Sequence, residues 1–390
     1  MSQSELSPRK TRHLLTITPF YPKAGNESSG CFVAEPLAEL SKTGIHSTVF
    51  AVEPFYRPKS RAVSSAPVAE WVRYAALPGG IGLATSGMGL FMRLRSPVEK
   101  LHARSPIDLI HAHGALPCGH TAALLSRHLN VPFVVTVHGL DAFSSRQVSG
   151  RSRASCVRAS RRVYAAALRV MGVSRHVCDE VTKEMAGLST TAAVYNGVNP
   201  LLFVPGGDPA QPLLLTVGNL IPTKGHELTV HALAALRPEF PALTWEVIGE
   251  GPETTRIRAL GEKLGVLSSM RFRGRQDRTA VAEACRSCTV FVLPSRYEGL
   301  GCVYLEAMAC GKVAIGCEGQ GIEEVIRHGE NGWLVPPNGR HELIEGLRVL
   351  LRDGVRRAQI GAAARHTILQ SYTLAHQAQR LQTIFQESLP

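Results

Sequence analysis

Short apolar runs recur along the chain, separated by longer stretches in which apolar residues fall three and four apart. His13–Phe20 is the first run and reads as a strand. A glycine-serine loop, Ala24–Gly30, follows, then an amphipathic helix to about Thr43, stopped by Gly44, then a strand over Ile45–Val52. This strand–helix–strand opening predicts a parallel sheet covered by helices. Pro36 leaves the start of the helix open, because proline suits only a first turn. Further strands are expected at Ile107–Ala112, Phe133–Val137, Val170–Val173 and Ala192–Tyr195, with helices over Gly119–Leu129 and about Arg151–Arg169.

The stretch Val204-Pro-Gly-Gly-Asp-Pro-Ala-Gln-Pro212 is the most linker-like in the chain. A second series of strands follows it: Leu213–Val217, Trp245–Gly249, Met270–Phe272, Val290–Leu293, Val313–Gly316 and Gly332–Val335. A last helix, about Leu374–Glu387, has no strand after it. The pattern predicts an α/β protein of two Rossmann-like, doubly wound domains, residues 1–203 and 204–370. Residues 371–390 form a helix expected to pack back toward the first domain.

Composition refines this picture. A chain of 390 residues with 44% hydrophobic content has material for two cores. The nine cysteines form no regular framework, which argues for free thiols in a reducing, cytoplasmic setting. Cys285 and Cys288 form a C-x-x-C, but no second pair stands at zinc spacing, so small buried residues are the better reading. The first twelve residues lack an apolar core, and the uncharged stretch Ala75–Met92 is broken by five glycines. It falls short of the ~20 apolar residues of a membrane span. A net charge of +12 points to an anionic partner: nucleic acid, an anionic membrane or a phosphorylated substrate.

Three loops stand where open α/β sheets bind ligands, at strand carboxyl ends before helix N-termini. The first is Gly25–Gly30, which is not G-x-G-x-x-G. The second is Val217-Gly-Asn-Leu-Ile-Pro-Thr-Lys-Gly225, with Lys224 placed to meet a phosphate but in an order unlike a Walker loop. The third is Pro294-Ser-Arg-Tyr-Glu-Gly-Leu-Gly-Cys-Val-Tyr-Leu-Glu-Ala-Met-Ala-Cys-Gly311. Gly299 and Gly301 place the helix start near Cys302. Glu298 then lies in the loop and Glu306 in the helix, some ~12 Å apart at ~1.5 Å per residue. That exceeds the spacing of an acid and base across one glycosidic bond. It suits two carboxylates gripping different parts of one extended ligand, such as a nucleotide sugar.

Glu298 and Glu306 with seven residues between them, inside Pro294–Gly311, resemble the signature of retaining glycosyltransferases of family 4, which have the GT-B fold of two domains facing a cleft. Val194–Asn199, Gly218–Gly225, Val247–Pro252, Phe272–Arg275 and Gly319–Val325 look like the family's flanking segments, so the resemblance covers about Leu14 to Leu350. It implies that Glu306 holds the donor ribose and that Glu298 sits at the transferred sugar. Lys224 would neutralise the diphosphate, with Asn219, Arg275, Gly299, Leu300 and Gly301 also in the donor site. Gly30 would let the first domain touch the donor, and His138 matches the family's cleft histidine beside the reacting sugar. His111 and His113 are weaker candidates. Members commonly carry an arginine where this chain has Asn219, which brings no charge. Arg275 or Arg296 would then supply it, or the donor would bind more weakly.

The resemblance implies transfer with retention from a nucleoside-diphosphate sugar, UDP- or GDP-linked, with no bound metal and no cofactor. The acceptor would be a glycan or a lipid-linked precursor. From Ala142 to Cys178 there are eight arginines and no acid. Arg151, Arg158, Arg162 and Arg169 fall on one predicted helical face, and Val157, Tyr164, Leu168 and Met171 form a separate apolar stripe on another. That face is a candidate docking surface for an anionic membrane, making the protein peripheral at the inner membrane face. No aromatic-interleaved basic motif favours nucleic acid, and the missing G-x-G-x-x-G argues against a dehydrogenase. A silent nucleotide-sugar-binding protein, an epimerase and a phosphorylase on the same fold stay open.

Overall fold

A computed structural model describes residues 12–61, 67–77, 81–139, 152–185 and 191–388. Each half of the chain builds one all-parallel sheet. The first sheet comprises β1 (Arg12–Thr18), β2 (Ile45–Pro54), β3 (Ala69–Tyr74), β4 (Leu109–His113), β5 (Phe133–Val137), β6 (Arg169–Gly172) and β7 (Thr191–Ala193), in the order β3-β2-β1-β4-β5-β6-β7. Its helices are α1 (Cys31–Ser41), α2 (Leu83–Arg104), α3 (His120–Leu129), α4 (Ser152–Ala166) and α5 (Arg175–Glu184). The second sheet comprises β8 (Leu213–Val217), β9 (Thr244–Ile248), β10 (Met270–Phe272), β11 (Val290–Val292), β12 (Val313–Cys317) and β13 (Trp333–Val335), in the order β10-β9-β8-β11-β12-β13. Its helices are α6 (His226–Leu236), α7 (Thr254–Lys263), α8 (Arg278–Ser287), α9 (Cys302–Ala309), α10 (Arg340–Arg352) and α11 (Gly354–Ser371). The last described element is the helix α12 (Leu374–Glu387).

The strands are near-continuous apolar runs because helices cover both faces of each sheet. Val134, Val135 and Val137 of β5 are fully buried, as are Val290, Phe291 and Val292 of β11. The strand order reverses between β1 and β4 and again between β8 and β11. These two switch points are where an open α/β sheet offers its ligand crevice.

Several local expectations need correction. Helix α1 begins at Cys31, so Pro36 lies inside it rather than in its first turn. The uncharged stretch 75–92 contains the first half of α2, whose glycines hid the helical period. Gly87 is needed there, since a Cβ would lie 2.6 Å from that of His120. Helix α4 ends at Ala166, which takes Arg169 out of it and into β6. Arg158 and Arg162 remain exposed on α4, whereas Arg151 lies outside the described residues. The buried stripe of α4 is Cys156, Ser160, Val163 and Tyr164. Leu168 is 41% exposed and Met171 belongs to β6, because the chain leaves the 3.6-residue period after Ala166.

Helix α12 returns to the first domain. Its Ala378, Leu381 and Phe385 join an apolar cluster with Val33 and Leu37 of α1. Thr373 caps it by accepting from the His376 N–H. The crossing segment is pinned by Val198 N–H donating to the Tyr372 carbonyl at 2.9 Å and Gly197 N–H donating to Gln377 Oε1 at 2.7 Å.

Candidate active site

The two carboxyl edges meet across a cleft, and direct bonds hold them together. Ser174 Oγ donates to the Gly299 carbonyl at 2.6 Å. At the start of α5, the Arg175 and His176 N–H groups donate to the Glu324 carboxylate at 2.9 and 2.7 Å. An acid at a helix N-terminus satisfies otherwise unpaired donors. Tyr297 OH donates to Glu180 at 3.0 Å.

On the second domain, β8 leads into a loop ending in a short turn at Pro222–Lys224. Gly225 then adopts a φ of 67° so close to Pro294 that a Cβ would stand 2.1 Å from its carbonyl oxygen. This packing aims Lys224 across the loop, where its ammonium pairs with Glu298 Oε2. Glu298 Oε2 also accepts from Ser295 Oγ at 3.3 Å, and the Glu298 N–H donates to Gln320 Oε1 at 3.0 Å. Gly301, with φ 82°, opens α9. A Cβ on Gly299 would lie 2.3 Å from the His138 carbonyl oxygen, so this glycine lets the α9 N-terminus touch the first domain. Leu300 is buried and anchors the loop between the two glycines.

Glu306 sits inside α9, 3% exposed. Arg278, the first residue of α8, bonds its carboxylate. The same guanidinium forks onto Glu35 of α1 in the other domain, Nε to Oε1 at 3.0 Å and Nη2 to Oε2 at 3.2 Å. Burial opposes the arginine charge, but Glu306 and Glu35 more than offset it, so its pKa is raised. Burial also pushes the Glu35 carboxyl up, against Arg278. Cys31 beside this cluster is pushed up to about 12 by burial, and the Cys302 thiol is raised likewise. Neither is a ready nucleophile at neutral pH.

On the first domain, Gly30 has a φ of 72° at the start of α1, and a Cβ would stand 2.3 Å from the Tyr21 nitrogen. His138 follows β5 between Phe20 and Phe32, ring centroids 5.5 and 4.8 Å away. Its Nε2 shares a hydrogen bond with His113 Nδ1 at 2.8 Å, and His111 Nε2 meets Thr136 Oγ1 at 2.7 Å. Burial pushes His111 and His138 down to about 3, and His113 well below its ordinary value. The cluster is therefore neutral at pH 7, with a cavity of about 20 Å³ among these rings, Asn196 and Gln377.

The structure thus gathers Lys224, Glu298, Gly299, Leu300 and Gly301 at one point, touching the His138 backbone. Asn219 is exposed; its carbonyl accepts from Ile221 N–H and pairs with His226 Nε2, so its backbone shapes the loop. Arg275 is 49% exposed and paired with Glu250 at 3.3 Å. Arg296 is committed to Asn338, the Pro222 carbonyl and Glu227. Sequence reasoning missed Arg278, Glu35 and Gln320. Among the described residues no group of histidine, cysteine and acidic side chains is placed to hold a metal ion, and all nine cysteines are free.

Two parallel α/β domains with switch points facing one cleft, bridged by glycine-close loops, make up the GT-B fold. The chain belongs to glycosyltransferase family 4. The model described as "Glycosyltransferase Family 4" matches residues 32–200, and "Glycosyl transferases group 1" matches residues 202–367. An uncharacterized glycosyltransferase of Methanocaldococcus jannaschii is 30% identical over 64% of this chain and 67% of its own length. The alpha-maltose-1-phosphate synthase of Mycolicibacterium smegmatis is 27% identical over 69% of this chain and 76% of its own. Sucrose-phosphate synthase from Thermosynechococcus elongatus superposes with a TM-score of 0.79 at 21% identity, covering 96% of this chain and 99% of that one. Anabaena HepE, solved with UDP and glucose, superposes at 0.73 with 18% identity over 96% and 100%.

Proposed function

We propose that the protein transfers a hexosyl group from a nucleoside-diphosphate sugar to an acceptor hydroxyl with retention, in the cytoplasm and without a metal. The observation that carries this reading is the Lys224–Glu298 pair, set beside the glycine-opened N-terminus of α9 and against the His138 backbone. A diphosphate entering there would take the Lys224 ammonium as counter-charge and the free N–H groups of α9 as donors. Both oppose the charge that builds on the leaving nucleotide. Glu306 would accept from the ribose hydroxyls, with Arg278 as its counter-charge. Glu298, released from Lys224, would turn to the hydroxyls of the sugar.

His138 is neutral, so its ring can hydrogen-bond a sugar without competing for the diphosphate. Closure of the two domains excludes water that would hydrolyse the donor. Anabaena HepE, solved with UDP-glucose, supports a nucleotide sugar as the donor class. We read the acceptor as a lipid-linked or cell-surface glycan precursor. The test is a thermal-shift series with UDP, GDP, ADP, TDP and their sugars. One nucleotide should stabilise the chain, and the gain should vanish in Glu306→Ala. Absence of any shift would defeat the reading and favour a binding protein of other specificity.

A further inference from the structure

We infer that the first domain docks on an anionic membrane through the outer face of α2 and through Phe55, Tyr56, Leu77 and Ile81 beside it. This deepens the acceptor half of the reading above and rests on it for the lipid-linked acceptor. The observation is a cluster of large apolar side chains left in solvent. Phe55, Tyr56, Leu77, Ile81, Met88 and Met92 are each between 45% and 65% exposed.

They form one surface. Helix α2 buries Ser86, Gly87, Leu90, Leu94 and Val98 against the domain. Met88 and Met92, one turn apart, occupy the opposite face. Ile81 precedes the helix and accepts from the Leu77 N–H at 3.4 Å. The Phe55 N–H donates to the Tyr74 carbonyl at 2.9 Å, which holds the β2 and β3 ends together. Arg73 and Arg93 place their guanidinium carbons 5.0 and 4.9 Å from the Phe55 ring centre. The apolar patch is therefore rimmed by cations whose guanidinium heads lie over its Phe55 ring.

Charge selects the occupant. Residues 55–61, 67–77 and 81–104 carry eight lysines and arginines against two acids, Glu70 and Glu99. Glu99 is engaged by Arg95 at 3.0 Å and by His128. Helix α4, packed beside α2, adds Arg153, Arg158, Arg161 and Arg162 with no acid among its described residues. An apolar stripe flanked by cations is the make-up of a helix lying in a headgroup layer, where anionic lipid adds to apolar insertion.

Position gives the surface its use. Phe55 follows the carboxyl end of β2, on the same sheet edge as Gly30 after β1 and His138 after β5. Strands β3 and β1 are separated by one neighbour, so the end of β3 lies about 10 Å from the end of β1. A bilayer there would present a lipid-borne acceptor at the cleft mouth. Among the described residues no helix is long and apolar enough to cross a membrane, so attachment would be from one side.

The experiment is sedimentation of the full chain with vesicles of phosphatidylcholine alone or mixed with phosphatidylglycerol. Wild type should sediment with the mixed vesicles and stay free of the neutral ones. The exposed pair Met88→Ser/Met92→Ser should lower partitioning at least ~10-fold. Arg158→Ser and Arg162→Ser should each lower it about fivefold, and more salt should do the same. Val355→Ser, exposed on the second domain, should change nothing. The proposal is overturned if wild type ignores anionic vesicles, or if the methionine variant binds as wild type does. Nucleotide stabilisation is read separately. A chain that binds nucleotide but not vesicles keeps the transferase reading and loses this surface, and the reverse result does the opposite.

Discussion

The two domains meet the same cleft with opposite chemistries. The second domain offers fixed charge: Lys224, Glu298, Arg278 and Glu306, held by glycine-tight loops. The first offers neutral rings: three histidines kept uncharged by burial, packed with Phe20 and Phe32. Charges at glycine-bordered strand ends suit a ligand that carries its own charge and never varies, such as a nucleoside diphosphate. Neutral, aromatic surroundings suit a partner recognised by shape. The contrast breaks first at its charged side. Lys224→Ala should lower transfer by about 10²–10³-fold, the usual loss when a group facing transition-state charge is removed. Glu306→Ala should act mainly on donor affinity, read by titration with the nucleotide alone. Normal turnover in both would leave the charged half without a role.

Next in size is the seam between the halves. Gly299→Ala would push a Cβ to 2.3 Å from the His138 oxygen, forcing the domains apart while leaving Lys224 and Glu306 in place. Misplacement by an ångström across a reacting bond can cost about 10²-fold. We expect kcat to fall by that order while nucleotide affinity stays within a few-fold. Equal losses in both would show that Gly299 serves only the donor loop.

The same contrast governs what the sequence made legible. Strands Leu213–Val217 and Phe133–Val137 were read to the residue, because each is a largely apolar run buried within a parallel sheet. In the first domain β3, the helical character of α2 and all of α5 went unread. Helix α5 buries only Val177, Cys178 and Val181, too few for a period to stand out. The Glu298–Glu306 spacing pointed to a site because both acids sit on one continuous loop and helix. Arg278 could not be found this way. It reaches Glu306 across 28 positions and Glu35 across 243, a pairing that only packing creates.

The neutral side should show itself in pH dependence. His111 and His113, 2% and 4% exposed, stay unprotonated in the folded chain, whereas an unfolded histidine takes a proton below its ordinary 6.5. The unfolded state therefore binds more protons as pH falls, and stability drops. The contribution of His111 is complete above pH 6.5 and is lost between 6.5 and about 3, at about 1.4 kcal/mol per pH unit, and His113 acts in the same direction. Urea titrations at pH 7.5 and about 5.5 should differ by that order. His111→Gln should flatten the slope. A pH-independent midpoint would mean the histidines can be charged in the fold.

The smallest expected effect probes an ion pair that crosses between the domains. Arg278 forks onto Glu35 with two bonds, but Glu35 is partly exposed, and a surface-side pair is worth far less than its geometry suggests. Its value lies in timing. Parting the domains would break this pair, so it favours closure and, through Arg278, a fixed Glu306. Glu35→Gln keeps the shape and one acceptor while removing the charge. Binding of nucleotide alone should stay within twofold, and kcat should fall about three- to tenfold, with a larger radius of gyration in scattering from the donor-bound protein. Arg278→Ala would do more, since it also leaves Glu306 buried without its counter-charge. If Glu35→Gln instead weakened nucleotide binding and left the scattering unchanged, the first domain would be part of the donor site itself, and the division between a charged half and a neutral half would fall.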